Sequence, residues 1–252
     1  MEKMFEINNK VAIVTGASRG LGKAIAIGLA KAGASIVATD VLDVSDTVKE
    51  IKKNEKQAIG FNVDVSKKQD VEKMVKRTLD KFGKIDILVN NAGILRTGNA
   101  ETMKQEDWEK VIQVNLTGQF LCAQAVGKQM IKQKSGKIIN IASIAGLFGY
   151  ANSAPYSASK AGIILMTKTL AVEWGRYNIQ VNAICPGVFA TDMTDAFLKD
   201  KQFADMIKTR VPLGRYATPE QLVGTVIYLA SPASDYMTGH ALVIDGGWTA
   251  SL

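Results

Sequence analysis

The sequence predicts an α/β fold in which helices cover both faces of a doubly wound, seven-stranded parallel sheet. Seven short apolar runs rich in Val, Ile and Ala alternate with stretches whose apolar residues recur at helical spacing. The runs are apolar on both faces, as strands in the middle of a parallel sheet are. No linker or repeat interrupts this alternation, so residues 1–252 are predicted to form a single domain.

The elements follow one another in the order that such a sheet requires. Apolar runs predict strands at 10–15, 35–40, 58–64, 86–90, 137–142, 179–184 and 241–245. Helical spacing predicts helices at 21–32, 67–82, 103–134, 155–177 and 219–230, while 192–210 is polar and helical in parts. Within 103–134, Asn115 and Gly118 disfavour a helix interior, so a kink with an unpaired carbonyl is predicted there.

A glycine turn, residues 16–22, follows the first predicted strand and opens the first helix. Gly16 allows a sharp turn, Gly20 lets the backbone approach a pyrophosphate at the helix N-terminus, and Gly22 lets the helix pack close to the strand. Asp40 ends the second strand, where it can accept hydrogen bonds from both ribose hydroxyls of an adenosine. Together these features form a dinucleotide-binding βαβ unit, and the predicted fold is therefore a Rossmann fold.

A tyrosine and a lysine four residues apart, Tyr156 and Lys160, fall on one face of a predicted helix. A tyrosine hydroxyl titrates near pH ~10 in water, and a nearby ammonium favours the phenolate and lowers that pKa. Ser143 ends the buried strand upstream, where its hydroxyl can hold a substrate oxygen. The three residues indicate general acid–base chemistry.

Composition and charge argue against several other classes of protein. The net charge is +7, but the lysines are scattered among acids, so nucleic-acid binding is not predicted. The apolar runs are too short to span a bilayer, and the N-terminus has no apolar signal segment, so no membrane association and a cytoplasmic location are expected. Cys122 and Cys185 lie in apolar surroundings, which favours buried free thiols.

Further motifs extend this pattern along essentially the whole chain. In order they are residues 15–22, Asp64-Val65, Asn90-Asn91-Ala92-Gly93, Asn115, Ser143, Tyr156-x-x-x-Lys160 and Pro186-Gly187. Together they resemble the classical short-chain dehydrogenase/reductase family. The resemblance implies an NAD(P)-dependent oxidoreductase that interconverts a secondary alcohol and a ketone by hydride transfer. A nucleotide-sensing regulator without turnover is disfavoured, because the residues that carry the chemistry are all present.

The resemblance assigns the chemistry to four residues. Tyr156 would exchange a proton with the substrate oxygen, and Ser143 would hydrogen-bond that oxygen and stabilise the developing charge. Lys160 would lower the pKa of Tyr156 and bond the nicotinamide ribose. Asn115 would hold a water that links Lys160 to solvent. No metal is implied, and the single histidine, His240, is expected at the surface or in an interface.

The residues that would hold the cofactor also follow from the resemblance. They are Gly16, Ser18, Arg19, Gly20, Leu21, Gly22, Asp40, Asp64, Val65, Asn91, Ala92, Gly93, Tyr156, Lys160, Pro186, Gly187, Val188 and Thr191. NAD is expected to be preferred over NADP, because Asp40 would repel a 2′-phosphate and residues 41–43 are not basic. Arg19 is the opposing observation, since an arginine at this position can salt-bridge that phosphate in relatives.

The expected substrate is a sugar acid. Segments 94–96 and 209–215 resemble gluconate 5-dehydrogenases and 2-dehydro-3-deoxygluconate dehydrogenases within the family. A guanidinium can bind a carboxylate through two parallel hydrogen bonds. We therefore expect Arg96 to anchor the acid group, with Ser143 and Tyr156 at the reacting carbon.

Other substrates stay open at this point. A 3-oxoacyl-[acyl-carrier-protein] reductase is the main alternative, with a basic patch for an acidic carrier protein at Lys128, Lys132 and Arg176. The usual NADP use in that branch counts against it, given Asp40. A glucose or polyol dehydrogenase is the other alternative. The resemblance further implies a homotetramer and a substrate lid at about 190–215.

Overall fold

Seven parallel strands form one sheet in the computed structural model, which describes residues 2–53 and 56–250. The strands are β1 (Val11–Thr15), β2 (Ser35–Asp40), β3 (Ala58–Asn62), β4 (Ile87–Asn90), β5 (Gly136–Ile141), β6 (Ile179–Pro186) and β7 (Ala241–Ile244). Their order across the sheet is β3-β2-β1-β4-β5-β6-β7. The predicted sheet is confirmed, and no strand end differs from its prediction by more than two residues. Residues 1, 54, 55, 251 and 252 of the predicted domain lie outside the described residues.

Helices connect the strands. They are α1 (Gly20–Lys31), α2 (Ser45–Lys53), α3 (Lys68–Phe82), α4 (Gln105–Ile112), α5 (Gly118–Gln133), α6 (Ala154–Trp174), α7 (Asp195–Lys199), α8 (Lys201–Arg210) and α9 (Glu220–Ala230). The sequence did not predict α2, because that helix is mostly charged and buries only Thr47 and Ile51. None of the helices in the described part of the chain combines the length and hydropathy needed to cross a membrane.

The kink predicted in 103–134 is a π-helical segment, Gln113–Thr117, between α4 and α5. The Gly118 N–H donates to the carbonyl of Gln113, five residues back, instead of the usual four. This widened turn contains Asn115, which is fully buried. Asn115 and Gly118, which disfavour a helix interior, therefore mark a change in helix geometry. π-Bulges of this kind are frequent at functional sites.

Alternate residues of each strand pack into two hydrophobic layers. Ala12 and Val14 of β1 face the layer that contains α1 and α9. Val11 and Ile13 face the opposite layer, which contains α3, α5 and part of α6. Because both faces are covered, the central strands β1 and β4 are buried along their whole length, whereas the edge strands β3 and β7 are only partly buried.

The chain reverses direction across the sheet between β1 and β4. The first three strands extend from β1 in one direction, and β4 then pairs with the other side of β1. In open α/β sheets, ligands bind in the crevice at the carboxyl ends of the strands that flank such a switch point. Thr15 ends β1 and Asn90 ends β4, so the crevice is expected next to the glycine turn.

Predictions about three side chains are also confirmed. Cys122 and Cys185 are buried and free. Burial raises the pKa of the Cys122 thiol to about 12 and that of Cys185 to about 11, so both favour the protonated form at neutral pH. His240 is exposed, and its backbone N–H donates to Asn182 Oδ1.

Candidate active site

Steric constraints shape the glycine turn between β1 and α1. Gly16 has a φ of +67°, and a Cβ at this position would lie 2.8 Å from Asn91 Nδ2. A Cβ at Gly22 would overlap the carbonyl oxygen of Gly16. Side chains are therefore excluded at both positions, for the reasons of turn geometry and close packing that the sequence indicated.

Hydrogen bonds from the neighbouring strands hold this turn in place. Asp40 Oδ2 accepts from the Ser18 N–H at 3.1 Å and from Ser18 Oγ at 2.7 Å. Asn91 Nδ2 donates to the carbonyls of Thr15 and Gly16, both at 3.0 Å. Ser18 and Asp40 thus contact each other, and one carboxylate oxygen of Asp40 already accepts two hydrogen bonds from the protein.

A cleft of about 620 Å³ opens beside the turn. Its lining includes most of the predicted cofactor residues: Gly16, Arg19, Gly20, Leu21, Asp40, Asp64, Val65, Asn91, Ala92, Gly93 and Thr191. The other predicted cofactor residues are not in this lining: Ser18, Gly22, Tyr156, Lys160, Pro186, Gly187 and Val188. Ser18 and Gly22 instead support the turn from behind.

The predicted residues after β6 have structural contacts of their own. A Cβ at Gly187 would lie 2.8 Å from Asp245 Cα, so this glycine allows close packing of the two chain segments. Val188 lines a second, smaller cavity of about 150 Å³. Thr191 returns to the cleft, and its backbone N–H donates to Thr194 Oγ1 at 3.0 Å.

The walls of the cleft are further ordered by Asp64 and Val65. Burial raises the pKa of Asp64, but two hydrogen bonds from Ser66, with Lys67 nearby, lower it overall. The carboxylate is thus ionised at neutral pH. Val65 packs so closely against Gly118 that a Cβ at Gly118 would lie 2.8 Å from Val65 Cγ2. The glycine at the end of the π segment therefore makes room for the cleft wall.

Tyr156, Lys160 and Ser143 come together at the start of α6 and the end of β5. Lys160 is 4% exposed, and its Nζ donates to the Ile141 carbonyl at 2.7 Å. That Nζ lies 5.4 Å from the centre of the Tyr156 ring. Ser143 is buried, and a hydrogen bond joins its hydroxyl to Tyr156. These three side chains do not line the 620 Å³ cleft, which covers the part of the site nearer Asp40.

The expected lowering of the Tyr156 pKa is not present in this structure. Burial raises the pKa of Tyr156, and the hydrogen bond with Ser143 opposes that rise only in part. The physical reason is the position of Lys160, whose ammonium is directed at a backbone carbonyl rather than at the phenol oxygen. Burial also lowers the pKa of Lys160, to about 8. Helical spacing placed the two residues together correctly, but it did not predict where the ammonium points.

Asn115 clamps the segment that follows β4. Its Oδ1 accepts from the Ile94 N–H at 2.8 Å, and its Nδ2 donates to the Ile94 carbonyl at 2.9 Å and to Ser159 Oγ at 3.2 Å. Ser159 in turn donates to the carbonyl of Tyr156 at 2.7 Å. Asn115 thereby joins the cleft wall to the helix that carries Tyr156 and Lys160.

Comparisons with known proteins agree with this geometry. Residues 16–249 match a family model described as enoyl-(acyl carrier protein) reductase. The chain is 47% identical over 248 residues to the 3-oxoacyl-[acyl-carrier-protein] reductase of Synechocystis, covering 97% of this chain and 98% of that protein. It is 39% identical over 247 residues to the 2-dehydro-3-deoxy-D-gluconate 5-dehydrogenase of Escherichia coli, covering 98% of both. The chain belongs to the short-chain dehydrogenase/reductase family.

A solved structure of the same family has nearly the same fold. The gluconate 5-dehydrogenase of Burkholderia cenocepacia, in complex with NADP and tartrate, superposes with a TM-score of 0.97 at 37% identity. The match covers 100% of this chain and 99% of that one. As a short-chain dehydrogenase/reductase, the present chain is an oxidoreductase that acts on CH–OH groups with a nicotinamide cofactor.

The residues of the cleft fit a nicotinamide dinucleotide. Helix α1 begins at the turn without a side-chain cap, so backbone N–H groups and the positive end of the helix dipole are available to a pyrophosphate. Gly20 has a φ of +55°, and the atoms nearest to a Cβ built there belong to Thr191 across the gap. A side chain at Gly20 would therefore occupy space between the two walls of the cleft.

Arg96, the predicted substrate anchor, lies on the wall of this short-chain dehydrogenase/reductase cleft. Its Nε is 3.4 Å from Asp107 Oδ1, and 56% of its side chain is exposed. The predicted basic patch is also exposed. Lys128 and Lys132 lie one turn apart on α5, and the Arg176 guanidinium lies 4.8 Å from the centre of the Tyr177 ring.

Gln119 is a buried polar residue near the site that sequence reasoning missed. It is 2% exposed, and its Nε2 donates to the Ile141 carbonyl at 3.3 Å, the same oxygen that accepts from Lys160. Asn90 Nδ2 donates to the Gln119 carbonyl at 3.2 Å and to Asn140 Oδ1 at 2.9 Å. A signal was available, because Gln119 is a polar residue in an otherwise apolar stretch directly after Gly118.

Proposed function

We propose that this chain interconverts a secondary alcohol and a ketone on a sugar acid of the gluconate or 2-dehydro-3-deoxygluconate type, with NAD as the preferred cofactor. The observation that carries the substrate class is Arg96, a half-exposed guanidinium on the wall of the cofactor cleft. A carboxylate group of a substrate can compete with Asp107 for it through two parallel hydrogen bonds. The E. coli and Burkholderia relatives, which are named for such substrates, support the same class.

In the proposed mechanism, the bound cofactor supplies the hydride chemistry and the protein handles one proton. During ketone reduction, Tyr156 Oη donates its proton to the carbonyl oxygen that becomes the alcohol. Ser143 hydrogen-bonds that oxygen and stabilises its negative charge while it develops. The raised pKa of Tyr156 suits this direction, because the phenol is protonated at neutral pH.

Alcohol oxidation requires the opposite proton movement at the same atom. The Tyr156 phenolate accepts the hydroxyl proton, so Lys160 has to turn from the Ile141 carbonyl towards the phenol and the nicotinamide ribose. The pKa of Lys160 is about 8, so its ammonium is mostly present at neutral pH. Asn115 positions the helix that carries both residues and, in this proposal, lies on the route by which Lys160 exchanges its proton with a water molecule.

The cofactor would lie along the lined cleft, with its pyrophosphate at Gly20 and the α1 N-terminus and its adenine between Asp64 and Val65. Asp40 supports NAD over NADP, because its carboxylate would lie beside the adenosine ribose and would repel a 2′-phosphate. Asn91, Ala92 and Gly93 would pack under the cofactor. Thr191, Val188 and the Pro186-Gly187 turn would position the carboxamide.

A second candidate function is supported by a specific observation. The Synechocystis relative is a 3-oxoacyl-[acyl-carrier-protein] reductase, and its identity to this chain, 47%, exceeds that of the sugar-acid relative. Lys128 and Lys132 lie exposed on one face of α5, and Arg176 is exposed as well. Three such cations could attract an acidic carrier protein. A polyol dehydrogenase activity is the third candidate.

The proposal extends to the organisation of the protein. We propose a single domain over the whole chain, with 190–215 as the lid over the substrate, a cytoplasmic location and a homotetramer. The dimer contact would use α4, α5 and α6. Leu165 and Val172, which are 66% and 85% exposed on α6, support such a contact because exposed apolar residues on one helix often mark an interface.

The decisive experiment compares acids with neutral substrates in an Arg96→Ala variant. Turnover is followed by nicotinamide absorbance with gluconate-type acids, the corresponding neutral polyols and an acetoacetyl thioester. We expect Arg96→Ala to raise KM for the acids at least about tenfold, the effect of losing a charged hydrogen-bonded pair, and to leave KM for polyols unchanged. Arg96→Lys, which keeps the charge but loses the planar fork, should give an intermediate KM.

Two outcomes would contradict the substrate assignment. Equal losses on acids and polyols would show that Arg96 supports the fold of the loop rather than an acid group. A wild-type preference for the acetoacetyl thioester over the acids would favour the carrier-protein reductase instead. In that case Lys128→Ala/Lys132→Ala should lower kcat/KM for acyl-carrier-protein substrates and leave kcat/KM for the other substrates unchanged.

A further inference from the structure

An ion pair joins the glycine turn to the segment that follows β6. Arg19 Nη1 lies 3.0 Å from Asp192 Oδ2. The adjoining residues approach each other across the same gap, since a Cβ built on Gly20 would lie 3.4 Å from Thr191 Cγ2. Arg19 and Asp192 both line the cofactor cleft, and 63% and 61% of their side-chain surfaces are exposed. The pair therefore connects two walls of the cleft at a point that solvent and ligands can reach.

Arg19 lies at the same end of the cleft as Asp40. Ser18 precedes it in the chain and donates two hydrogen bonds to the Asp40 carboxylate. In the proposed function, that carboxylate lies beside the adenosine ribose. A guanidinium here is well suited to a 2′-phosphate, because it offers parallel N–H donors to phosphate oxygens. In this structure its partner is the carboxylate of Asp192.

We propose that Asp192 is a specificity-determining residue of the cofactor site, which holds Arg19 in an ion pair and so withholds it from a 2′-phosphate. For Arg19 to bond the 2′-phosphate of NADP, this pair would first have to break. NAD leaves the pair intact, so the cost falls on one cofactor alone. This inference rests on the proposed NAD preference and adds to it a second carboxylate that acts through Arg19.

The test is a double-mutant cycle on Arg19 and Asp192. Asp192→Asn keeps the shape of the side chain and removes its charge. The ratio of kcat/KM for NADP to kcat/KM for NAD should rise about threefold, the size typical of an exposed ion pair. In an Arg19→Ala background, the same substitution should leave this ratio unchanged, because there is no guanidinium to release.

A binding measurement gives the same comparison without turnover. Calorimetric titration with adenosine 2′,5′-bisphosphate and with AMP isolates the contribution of the 2′-phosphate. Asp192→Asn should strengthen binding of the bisphosphate by about threefold and leave AMP unchanged, again only when Arg19 is present.

Asp195 provides a matched control in the same segment. It lies three residues further on and pairs with Lys199, with 2.6 Å between Nζ and Oδ2. Asp195→Asn changes the net charge by the same amount and leaves the Arg19 pair intact. Neither the kinetic ratio nor the binding of the bisphosphate should change in this variant.

Two kinds of result would overturn the inference. An unchanged ratio in Asp192→Asn would show that Arg19 is not withheld. An equal rise in the Arg19→Ala background, or with Asp195→Asn, would show general charge repulsion without a role for the pair. A wild-type preference for NADP would contradict the proposed NAD preference. The role of the pair would still be tested by whether Asp192→Asn raises the ratio of kcat/KM for NADP to kcat/KM for NAD only when Arg19 is present.

Discussion

The glycine turn and the segment proposed as the lid, residues 190–215, meet across the cofactor cleft but are held in different ways. Buried contacts fix the turn: Asn91 bonds two of its carbonyls, and Asp40 bonds Ser18 through two hydrogen bonds. In the lid, α7 buries none of its side chains and α8 buries Ile207. Its charged side chains pair at the surface, as Asp195 does with Lys199.

This difference distinguishes the part of the site that binds any dinucleotide from the part that discriminates between ligands. A buried hydrogen bond is costly to break because it leaves a polar group without a partner. An exposed ion pair contributes little to stability and can be replaced at small cost. We infer that binding of the dinucleotide depends on the turn, while exposed side chains along the cleft, such as Asp192 and Arg96, add to the discrimination between ligands.

The largest effect is expected from Tyr156, the partly buried group that is proposed to carry the proton. Tyr156→Phe removes the hydroxyl and leaves the ring in place, so kcat should fall about a thousandfold, within the range for general acid–base catalysis. NAD affinity, measured by calorimetry, should change little, because the cleft near Asp40 does not contain Tyr156. Tyr236→Phe, at a fully exposed tyrosine, serves as the control. A Tyr156→Phe protein that turns over as fast as the parent would contradict the proposed chemistry.

The second effect concerns the stability cost of the buried lysine. The pKa of Lys160 is about 8 in the folded protein, against an ordinary value of 10.5. Between these values the unfolded chain binds more protons than the folded chain, so this group makes the free energy of unfolding rise with pH. Lys160→Met lacks this contribution. The free energy of unfolding of the wild type should therefore rise, relative to that of Lys160→Met, by on the order of 3 kcal/mol as pH rises from 8 to 10.5.

Urea denaturation across that pH range measures the difference directly. Lys168→Met removes an exposed lysine from the same helix, and its unfolding curve should follow the wild type at every pH. Parallel curves for Lys160→Met and wild type would show that the ammonium is not penalised by burial. The burial of Lys160 would then carry no cost in stability.

The sequence predicted the fold well, and the structure brings the predicted residues Tyr156, Lys160 and Ser143 close together. Strands were recognisable because they are apolar on both faces, as Val14 and Ile13 of β1 are on its two sides. The spacing of the glycines in the turn indicated where a side chain could not be accommodated. Helix α2 was missed because its pattern is mostly charged. The kink at Asn115 was predicted from propensity alone and is present as a π segment.

The directions of polar side chains could not be predicted in the same way. Spacing along α6 brings Lys160 near Tyr156, but the ammonium bonds the Ile141 carbonyl, which belongs to a distant strand. Arg19 and Asp192 are far apart in the chain, and no local pattern relates them. Side-chain partners of this kind depend on tertiary geometry. The sequence therefore indicated which residues could take part in binding or catalysis, but not which atoms they contact.

The smallest of these three effects tests whether Asp40 acts on the cofactor or on the turn. Asp40→Ala removes the carboxylate that would repel a 2′-phosphate, so the preference for NAD should fall about tenfold, the effect of about 1.4 kcal/mol. The same substitution also frees Ser18, whose N–H and hydroxyl both bond that carboxylate. Ser18→Ala loses one of these hydrogen bonds and keeps the charge. If Ser18→Ala narrows the cofactor preference as much as Asp40→Ala, the carboxylate selects by shaping the turn. If Ser18→Ala lowers affinity for both cofactors equally, the selection is due to charge.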